Sequence, residues 1–169
     1  LGSPIWIRAS IGQAAETAFC AHDAAQAKAW LLIRNGYGHY IASEYLPGRN
    51  LAWTALYDHG ALVGSTVHER VTYFNSLSAP SGVTGVASVS RTLHDREAAR
   101  VGQTGVDAIQ QALGRPLSGI VTVDQKEDTA GAPRITEINP RPTNTYHLAK
   151  AGCNFAAMLV DLAMGQKPK

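Results

Sequence analysis

A short segment near the C-terminus, RITEINPRPTNT at positions 134–145, constrains the fold and chemistry of this chain more than any other. It begins with alternating apolar and polar residues and then places Glu137, Asn139 and Arg141 at every second position. Side chains at i, i+2 and i+4 of a strand point to the same face. The two prolines that follow end the strand, because proline cannot donate a ladder hydrogen bond. The segment therefore predicts a strand with a carboxylate, an amide and a guanidinium on one face.

A second carboxylate ends the strand that precedes this segment. The run GIVTVD at 119–124 is rich in β-branched residues and closes on Asp124. The stretch from Lys126 to Pro133 is polar and contains Gly131, which predicts a turn between two antiparallel strands. We expect this hairpin to place Asp124 opposite Glu137.

Carboxylate and amide oxygens gathered on one face of a hairpin need a cation between them. Mg²⁺ prefers oxygen ligands and substrate phosphates, so the pattern predicts that Asp124, Glu137 and Asn139 hold Mg²⁺ or Mn²⁺. The alternative interpretation is a solvated hairpin whose charges face water. The order of the residues, the closing prolines and the upstream acid together favour the metal site.

The hairpin motifs have companions elsewhere in the chain, namely SEYLPG (43–48), HER (68–70), VTVD (121–124), TEINPR (136–141) and AGCN (151–154). Together they resemble motifs of the ATP-grasp ligases, in particular the carbamoyl-phosphate-synthase-like carboxylate–amine ligases. In that family the first motif is the hinge where adenine binds, the second is a Glu-Arg strand and the last is the turn before the final helix. The resemblance extends over nearly the whole chain.

The resemblance implies an α+β fold of the ATP-grasp type, in which helices pack on antiparallel sheets. The whole chain would be one ATP-grasp domain fragment, with residues 1–48 in the small nucleotide-binding lobe and 49–169 in the metal and substrate lobe. A complete ATP-grasp ligase is larger than 169 residues, so we expect a fragment without ligase activity of its own.

Hydrophobic periodicity and end signals predict the elements independently of the resemblance. Asp23 and Asp95 are expected helix N-caps, and Asp58-His59-Gly60 is an expected hairpin turn. The predicted strands cover 5–9, 17–21, 40–45, 51–57, 61–74 and 86–92, before the two hairpin strands. The predicted helices cover 23–34, 95–113, 144–151 and 154–164.

The resemblance also assigns residues to the nucleotide. Arg8 stands where the family has a phosphate-contacting Lys or Arg. Glu44, Tyr45 and Leu46 lie at the adenine hinge, where backbone groups recognise the base and Glu44 would accept from the exocyclic amine. Asn50 stands where the family has an acid for the ribose hydroxyls. The alternatives are a structural ion pair for Arg8 and an exposed strand-end acid for Glu44.

Two further arginines are candidates for the reacting groups. Arg70 and Arg141 would come from strands that face the site, and a guanidinium suits the oxygens of a phosphate or a carboxylate. An acyl phosphate carries both kinds of oxygen. The alternative is structural pairing with Glu69, Glu137 or Asp124.

The implied reaction has two steps, in which ATP phosphorylates a carboxylate and an amine, or another nucleophile, then displaces phosphate from the acyl phosphate. Small-molecule carboxylate and amine substrates are the implied partners, and a homodimer is compatible with them. The sequence offers no Ser or Cys nucleophile paired with a base, which agrees with catalysis by positioning and charge neutralisation.

One segment departs from the family. The glycine-rich flap that should cover the phosphates reads SIGQAAET at 10–17 and retains only Gly12. Alanine is costly where the backbone needs a positive φ, so this flap favours an alternative function. In that alternative the chain is a degenerate ATP-grasp module that binds nucleotide or a partner without catalysis. A third interpretation is an unrelated α+β binding domain.

Composition excludes several other classes. The net charge is +2 and no basic cluster with interleaved aromatics occurs, so nucleic acid is not an expected ligand. No apolar run approaches the ~20 residues of a membrane span. The histidines lack zinc-binding spacing. Cys20 and Cys153 are expected to be reduced thiols in a cytoplasmic protein.

Overall fold

The computed structural model describes residues 2, 4–12, 17–74, 76–83, 85–143 and 146–168. Within these residues the chain forms a three-stranded sheet, a five-stranded sheet and four α-helices. The strand pairs of both sheets whose register is described are antiparallel. The predicted α+β class with antiparallel sheets is therefore confirmed.

The bounds of the elements are close to those expected from periodicity. The strands are β1 (Ile5–Ala9), β2 (Phe19–Ala21), β3 (Tyr40–Glu44), β4 (Asn50–Asp58), β5 (Ala61–Tyr73), β6 (Ala87–Leu93), β7 (Gly119–Glu127) and β8 (Pro133–Asn139). The helices are α1 (Ala24–Ile33), α2 (Arg96–Leu113), α3 (Tyr146–Lys150) and α4 (Phe155–Ala163), and a short 3₁₀ turn spans Ser76–Ser78.

The chain divides into two compact units. The first contains Leu1–Pro47 together with Val71–Val89, and the second contains Gly48–Arg70 together with Ser90–Lys169. The sequence led us to expect a boundary after residue 48 and to assign all later residues to one lobe. In the structure the segment Val71–Val89 groups with the first unit instead.

In the first unit, β1 is the central strand of the sheet β2-β1-β3, and α1 packs beside β2. The helix begins at Asp23, whose carboxylate accepts a hydrogen bond from the Gln26 backbone N–H at 2.8 Å. Trp30 of α1 stacks on Phe19 of β2 with ring centroids 4.9 Å apart. Its indole N–H donates to the Thr17 carbonyl at 3.1 Å, which fixes the helix on the sheet.

In the second unit, β4 lies at the centre of the sheet β6-β5-β4-β7-β8 and is buried from Leu51 to Tyr57. Because β4 is covered on both faces, its sequence is apolar without alternation. The face toward α2 contains a buried cluster of Leu51, Trp53, Ala55, Tyr57, Val67, Ala98, Val106, Val121 and Val123. The opposite face packs on α3 and α4 through Leu56, Ile120, Leu148 and Phe155.

Strand β7 is longer than the sequence suggested. Lys126 and Glu127, which the sequence places in the turn, continue the ladder after Gln125 by pairing with β8. The turn itself is organised by Asp128, whose side chain accepts from the backbone N–H groups of Ala130 and Ala132, each at 2.9 Å. The ladder therefore extends three residue pairs beyond Asp124, to Glu127 opposite Pro133.

None of the helices in the described part of the chain combines the length and the apolar character needed to cross a bilayer.

Two glycines of α2 provide a matched test of core packing. A Cβ at Gly102 would lie 2.7 Å from the rigid, fully buried Trp53 ring, whereas a Cβ at Gly105 would meet the terminal methyl of Ile135, which is 39% exposed. We expect Gly102→Ala to lower the free energy of unfolding by about 1–3 kcal/mol through overpacking. Gly105→Ala should be neutral or stabilising, because alanine gains up to about 1 kcal/mol in a helix and the Ile135 side chain can rotate. Urea unfolding of both variants measures the difference, and equal destabilisation would contradict the packing of Trp53.

Candidate functional site

The β7–β8 hairpin contains a β-bulge at Thr136. The register pairs Asp124 with Glu137 and Gln125 with Ile135, so Thr136 is an extra residue on β8. Its hydroxyl donates to the Asp124 carbonyl at 3.1 Å. A bulge changes which face the following side chains occupy.

The bulge separates the apolar and polar side chains of β8. Ile135 and Ile138 both come within 4 Å of the position that a Cβ of Gly105 would take, so both face α2. In a regular strand, residues three apart would point to opposite faces. Glu137 and Asn139 consequently share the face that points away from α2.

This polar face carries the predicted metal ligands. Asp124 lies directly across the hairpin from Glu137, and directly paired residues have Cβ atoms about 5 Å apart. Asn139 pairs in the same way with Thr122 and is only 9% exposed. Two carboxylates and a sheltered amide on adjacent strands form a donor set that suits a hard divalent cation. The described residues contain no cluster of three or more His, Cys, Asp or Glu side chains suited to a metal.

This polar face also carries the positively charged side chain of Arg70. The Arg70 guanidinium of β5 forms an ion pair with Oδ1 of Asp124 at 2.7 Å, and each side chain is 18% exposed. The structural pairing that the sequence left open for Arg70 is thus present with Asp124. Asp124, one of the two facing carboxylates, is therefore already paired with a positive charge of the chain itself. Arg141 follows β8, is exposed, and donates to the Pro142 carbonyl at 3.5 Å.

Two histidines line the same region. His68 is 2% exposed and stands in line with Asp124 across β4, since both pair with Ala52. Its ring meets that of His147 from α3 edge to face, with centroids 4.9 Å apart. Burial, the Arg70 charge and the neighbouring His147 lower the pKa of His68 to about 3, and burial and Arg70 also lower the pKa of His147. Both rings are therefore uncharged at neutral pH.

The packing of these two histidines against each other was not predicted from the sequence. His68 is two residues from Arg70 on the same strand, so the alternation of β5 was a usable signal. The contact with His147 had no such signal, because it joins a strand to a helix far along the chain.

Lys126 is a second residue that the sequence analysis missed. It lies two residues beyond Asp124 on β7, and its ammonium donates to the Gly48 carbonyl at 3.1 Å and to Oδ1 of Asn50 at 3.2 Å. Burial lowers the pKa of Lys126. Asn50, the predicted ribose contact, therefore already accepts a hydrogen bond from within the chain. The β-branched run ends at Asp124, so the sequence pattern placed Lys126 in the turn.

The residues predicted to bind nucleotide belong mainly to the first unit. Arg8 lies on β1, is half-buried and pairs with Ile41 of β3. Glu44 ends β3 and is exposed, and Tyr45 and Leu46 follow it half-buried. The shared cleft expected from the sequence for these residues and the metal hairpin stays a prediction. Positions 13–16 of the predicted flap lie outside the described residues.

Comparison with solved structures identifies three enzymes of similar fold. An L-amino acid ligase from Bacillus licheniformis matches 100% of this chain with a TM-score of 0.62 and 16% identity, over 40% of its own length. D-alanine–D-alanine ligase from Bacillus anthracis, complexed with ATP, matches 98% of this chain with a TM-score of 0.61 and 16% identity, over 52% of its length. Biotin carboxylase from Campylobacter jejuni, in a β,γ-ATP complex, matches 99% with a TM-score of 0.65 and 16% identity, over 38% of its length.

The chain thus spans about half or less of the length of each of these enzymes. No protein-family profile and no curated protein sequence matches it. At this level of identity, the likeness establishes a shared fold.

The burial of His68 predicts how stability depends on pH. Its pKa of about 3 in the folded chain lies below the value of about 6.5 in an unfolded chain. Between these values the unfolded state binds one more proton, so stability is complete above pH 6.5 and falls as the pH drops toward 3. We expect His68→Phe to make the folding constant less sensitive to pH in this window, by up to about tenfold per pH unit.

Urea unfolding at several pH values between 7 and 4 measures this slope. His94→Phe is the control, because His94 is exposed. We expect stability in this variant to depend on pH as steeply as in the unmodified chain. Identical slopes for His68→Phe and the unmodified chain would contradict the burial of a neutral histidine.

Proposed function

We propose that this chain, which has the ATP-grasp fold of these ligases, is part of an ATP- and Mg²⁺-dependent carboxylate–amine ligase that acts through an acyl phosphate. One observation carries the proposal. The bulged hairpin pairs Asp124 with Glu137 and puts Asn139 on the same face. Glu137 and Asn139 are the first two named residues of the ExNxR motif. A fold shared with ATP-dependent ligases and a donor set for a divalent cation support the same reaction class.

In this proposal, Asp124, Glu137 and Asn139 would hold Mg²⁺ or Mn²⁺. When bound, the ion would neutralise part of the negative charge on the phosphate oxygens. The chain's own part is to present two carboxylates and an amide on a rigid hairpin, which fixes where a phosphate chain must lie. The rigidity comes from β4, which is buried along most of its length and pairs with β7 on one side.

Arg70 and Arg141 would bind the oxygens of the reacting groups. In the first step a carboxylate oxygen of the substrate attacks the γ-phosphorus of ATP, and ADP leaves. In the second step the amine nitrogen attacks the acyl carbon and inorganic phosphate leaves with the electron pair of the broken carbon–oxygen bond. A guanidinium near these oxygens favours both steps, because negative charge is spread over the phosphoryl oxygens throughout.

The nucleotide would be held mainly by residues of the first unit. Arg8 would contact phosphate, the segment Glu44 to Leu46 would face adenine, and Asn50 would meet the ribose. We retain residues 1–48 as the proposed nucleotide lobe and 49–169 as the proposed metal and substrate lobe. The strand-end position of Glu44 and the half-buried side chains of Tyr45 and Leu46 are compatible with an apolar wall for a base.

The proposal also includes the substrates, the oligomeric state and the cellular location. Small-molecule carboxylate and amine substrates, a homodimer and a cytoplasmic location fit a ligase of this kind. Both cysteines are free thiols, which agrees with a reducing compartment.

A degenerate module that binds nucleotide or a partner without catalysis is the second candidate. The observation in its favour is the flap at 10–17, which retains one glycine where backbone N–H groups should cradle phosphate. Nucleotide binding with Mg²⁺ but no turnover in the whole protein would favour this candidate over the ligase. The absence of any nucleotide binding would exclude the ligase and leave only a module that binds a partner.

Glu137→Gln tests the proposed function. It removes one ligand charge with little change in shape, so we expect the Mg²⁺-dependent part of ATP binding to this chain to be lost in calorimetric titrations. In the whole protein, turnover should fall at least ~10²-fold, because the phosphoryl charge is no longer neutralised. The fold should survive, since the replacement is nearly isosteric, and the thermal melt checks this.

Glu97→Gln is the control, because Glu97 is an exposed acid on α2 that pairs with Arg100. It should leave ATP binding and turnover unchanged. Unaltered Mg²⁺ dependence in Glu137→Gln, with an intact melt, would refute the role assigned to Glu137.

A further inference from the structure

The Asp124 carboxylate already has a partner. Arg70 reaches it from β5, and its Nη2 lies 2.7 Å from Oδ1. Both side chains are mostly shielded, each with 18% of its surface exposed. An ion pair at this depth is less screened by water and salt than a surface pair.

The position of this pair conflicts with simultaneous metal binding. Asp124 faces Glu137 across the hairpin, so an ion between the two carboxylates would also lie close to the Arg70 guanidinium. A guanidinium and a divalent cation repel each other strongly at such separations, because Coulomb energy falls only as the inverse of distance. Asp124 therefore has two rival positive partners.

The two histidines beside Arg70 do not neutralise its charge. His68 lies two residues before it on β5, is 2% exposed, and packs against His147. Two uncharged rings beside the guanidinium leave the charge of Arg70 to be matched by acidic groups. A phosphate oxygen that arrives with the metal is such a group, and a guanidinium binds it well.

We propose that Arg70 and the divalent cation compete for Asp124, so that Arg70 closes the metal site until a phosphate-bearing ligand takes over its guanidinium. This inference rests on the proposed function and adds an order of binding to it. The cation binds weakly alone and binds well together with the nucleotide. Arg70 thus couples the binding of the two ligands.

The experiment measures Mn²⁺ affinity of this chain without nucleotide, by electron paramagnetic resonance of the free ion. Arg70→Met keeps the apolar stem of the side chain and removes its charge. We expect Mn²⁺ to bind about 5- to 100-fold more tightly to this variant, which is the usual range of coupling between two ligands. At saturation with a non-hydrolysable ATP analogue this advantage should disappear, because the phosphates then hold Arg70 in the unmodified chain.

Arg91→Met is the matched control. Arg91 also pairs with a carboxylate of β5, that of Glu69, and its replacement changes the net charge by the same amount. Its Mn²⁺ affinity should stay within about twofold of the unmodified chain, because long-range charge effects are screened by salt. If Arg70→Met fails to fold, Arg70→Gln replaces it, since an amide can still hydrogen-bond Asp124.

The possible results are distinct. Tighter Mn²⁺ binding in the Arg70 variant but not in Arg91→Met supports the competition. Mn²⁺ affinity that is unchanged or weaker in the Arg70 variant overturns it, as expected if Arg70 only stabilises the fold. In that case, Mn²⁺ binding that is still lost in Glu137→Gln would leave the proposed metal site standing. No Mn²⁺ binding in any variant, with or without the nucleotide analogue, overturns both.

Discussion

The arrangement of side chains on the β7–β8 hairpin depends on one extra residue. The bulge at Thr136 lets Ile135 and Ile138 pack toward α2 while Glu137 points to the opposite face. Without it, regular alternation would put Ile135 and Glu137 on the same face, and either the core or the carboxylate pair would be lost. The hydroxyl of Thr136 stabilises the irregularity by donating to the Asp124 carbonyl.

The bulge is useful because β4 holds the hairpin in a fixed place. This strand is buried over seven consecutive positions, from Leu51 to Tyr57, and pairs with β5 and β7. It therefore brings Arg70 of β5 and Asp124 of β7 to the same face, one strand apart on either side. The ion pair between them and the uncharged histidine pair beside it are consequences of that alignment.

Much of the fold was predictable because its signals are local. Asp23 and Asp95 cap helices as expected. The carboxylate of an N-cap residue accepts a hydrogen bond from a backbone N–H of the first helical turn, which has no partner within the helix. The turn at His59 and Gly60 has the positive φ values of 45° and 87° that its residues predict. The extension of β7 beyond Asp124 was missed, because polar residues such as Lys126 look like turn residues until their partner strand is known.

The sequence by itself determined the hairpin, the identity of its acidic and amide groups, and the α+β class, because these follow from alternation, β-branching and proline placement within a short segment. Only the tertiary structure decided that Arg70 pairs with Asp124, that His68 meets His147, and that Lys126 binds Asn50. Each of these contacts joins residues distant along the chain. Their formation depends on strand order and register, and neither leaves a periodic signal in the sequence.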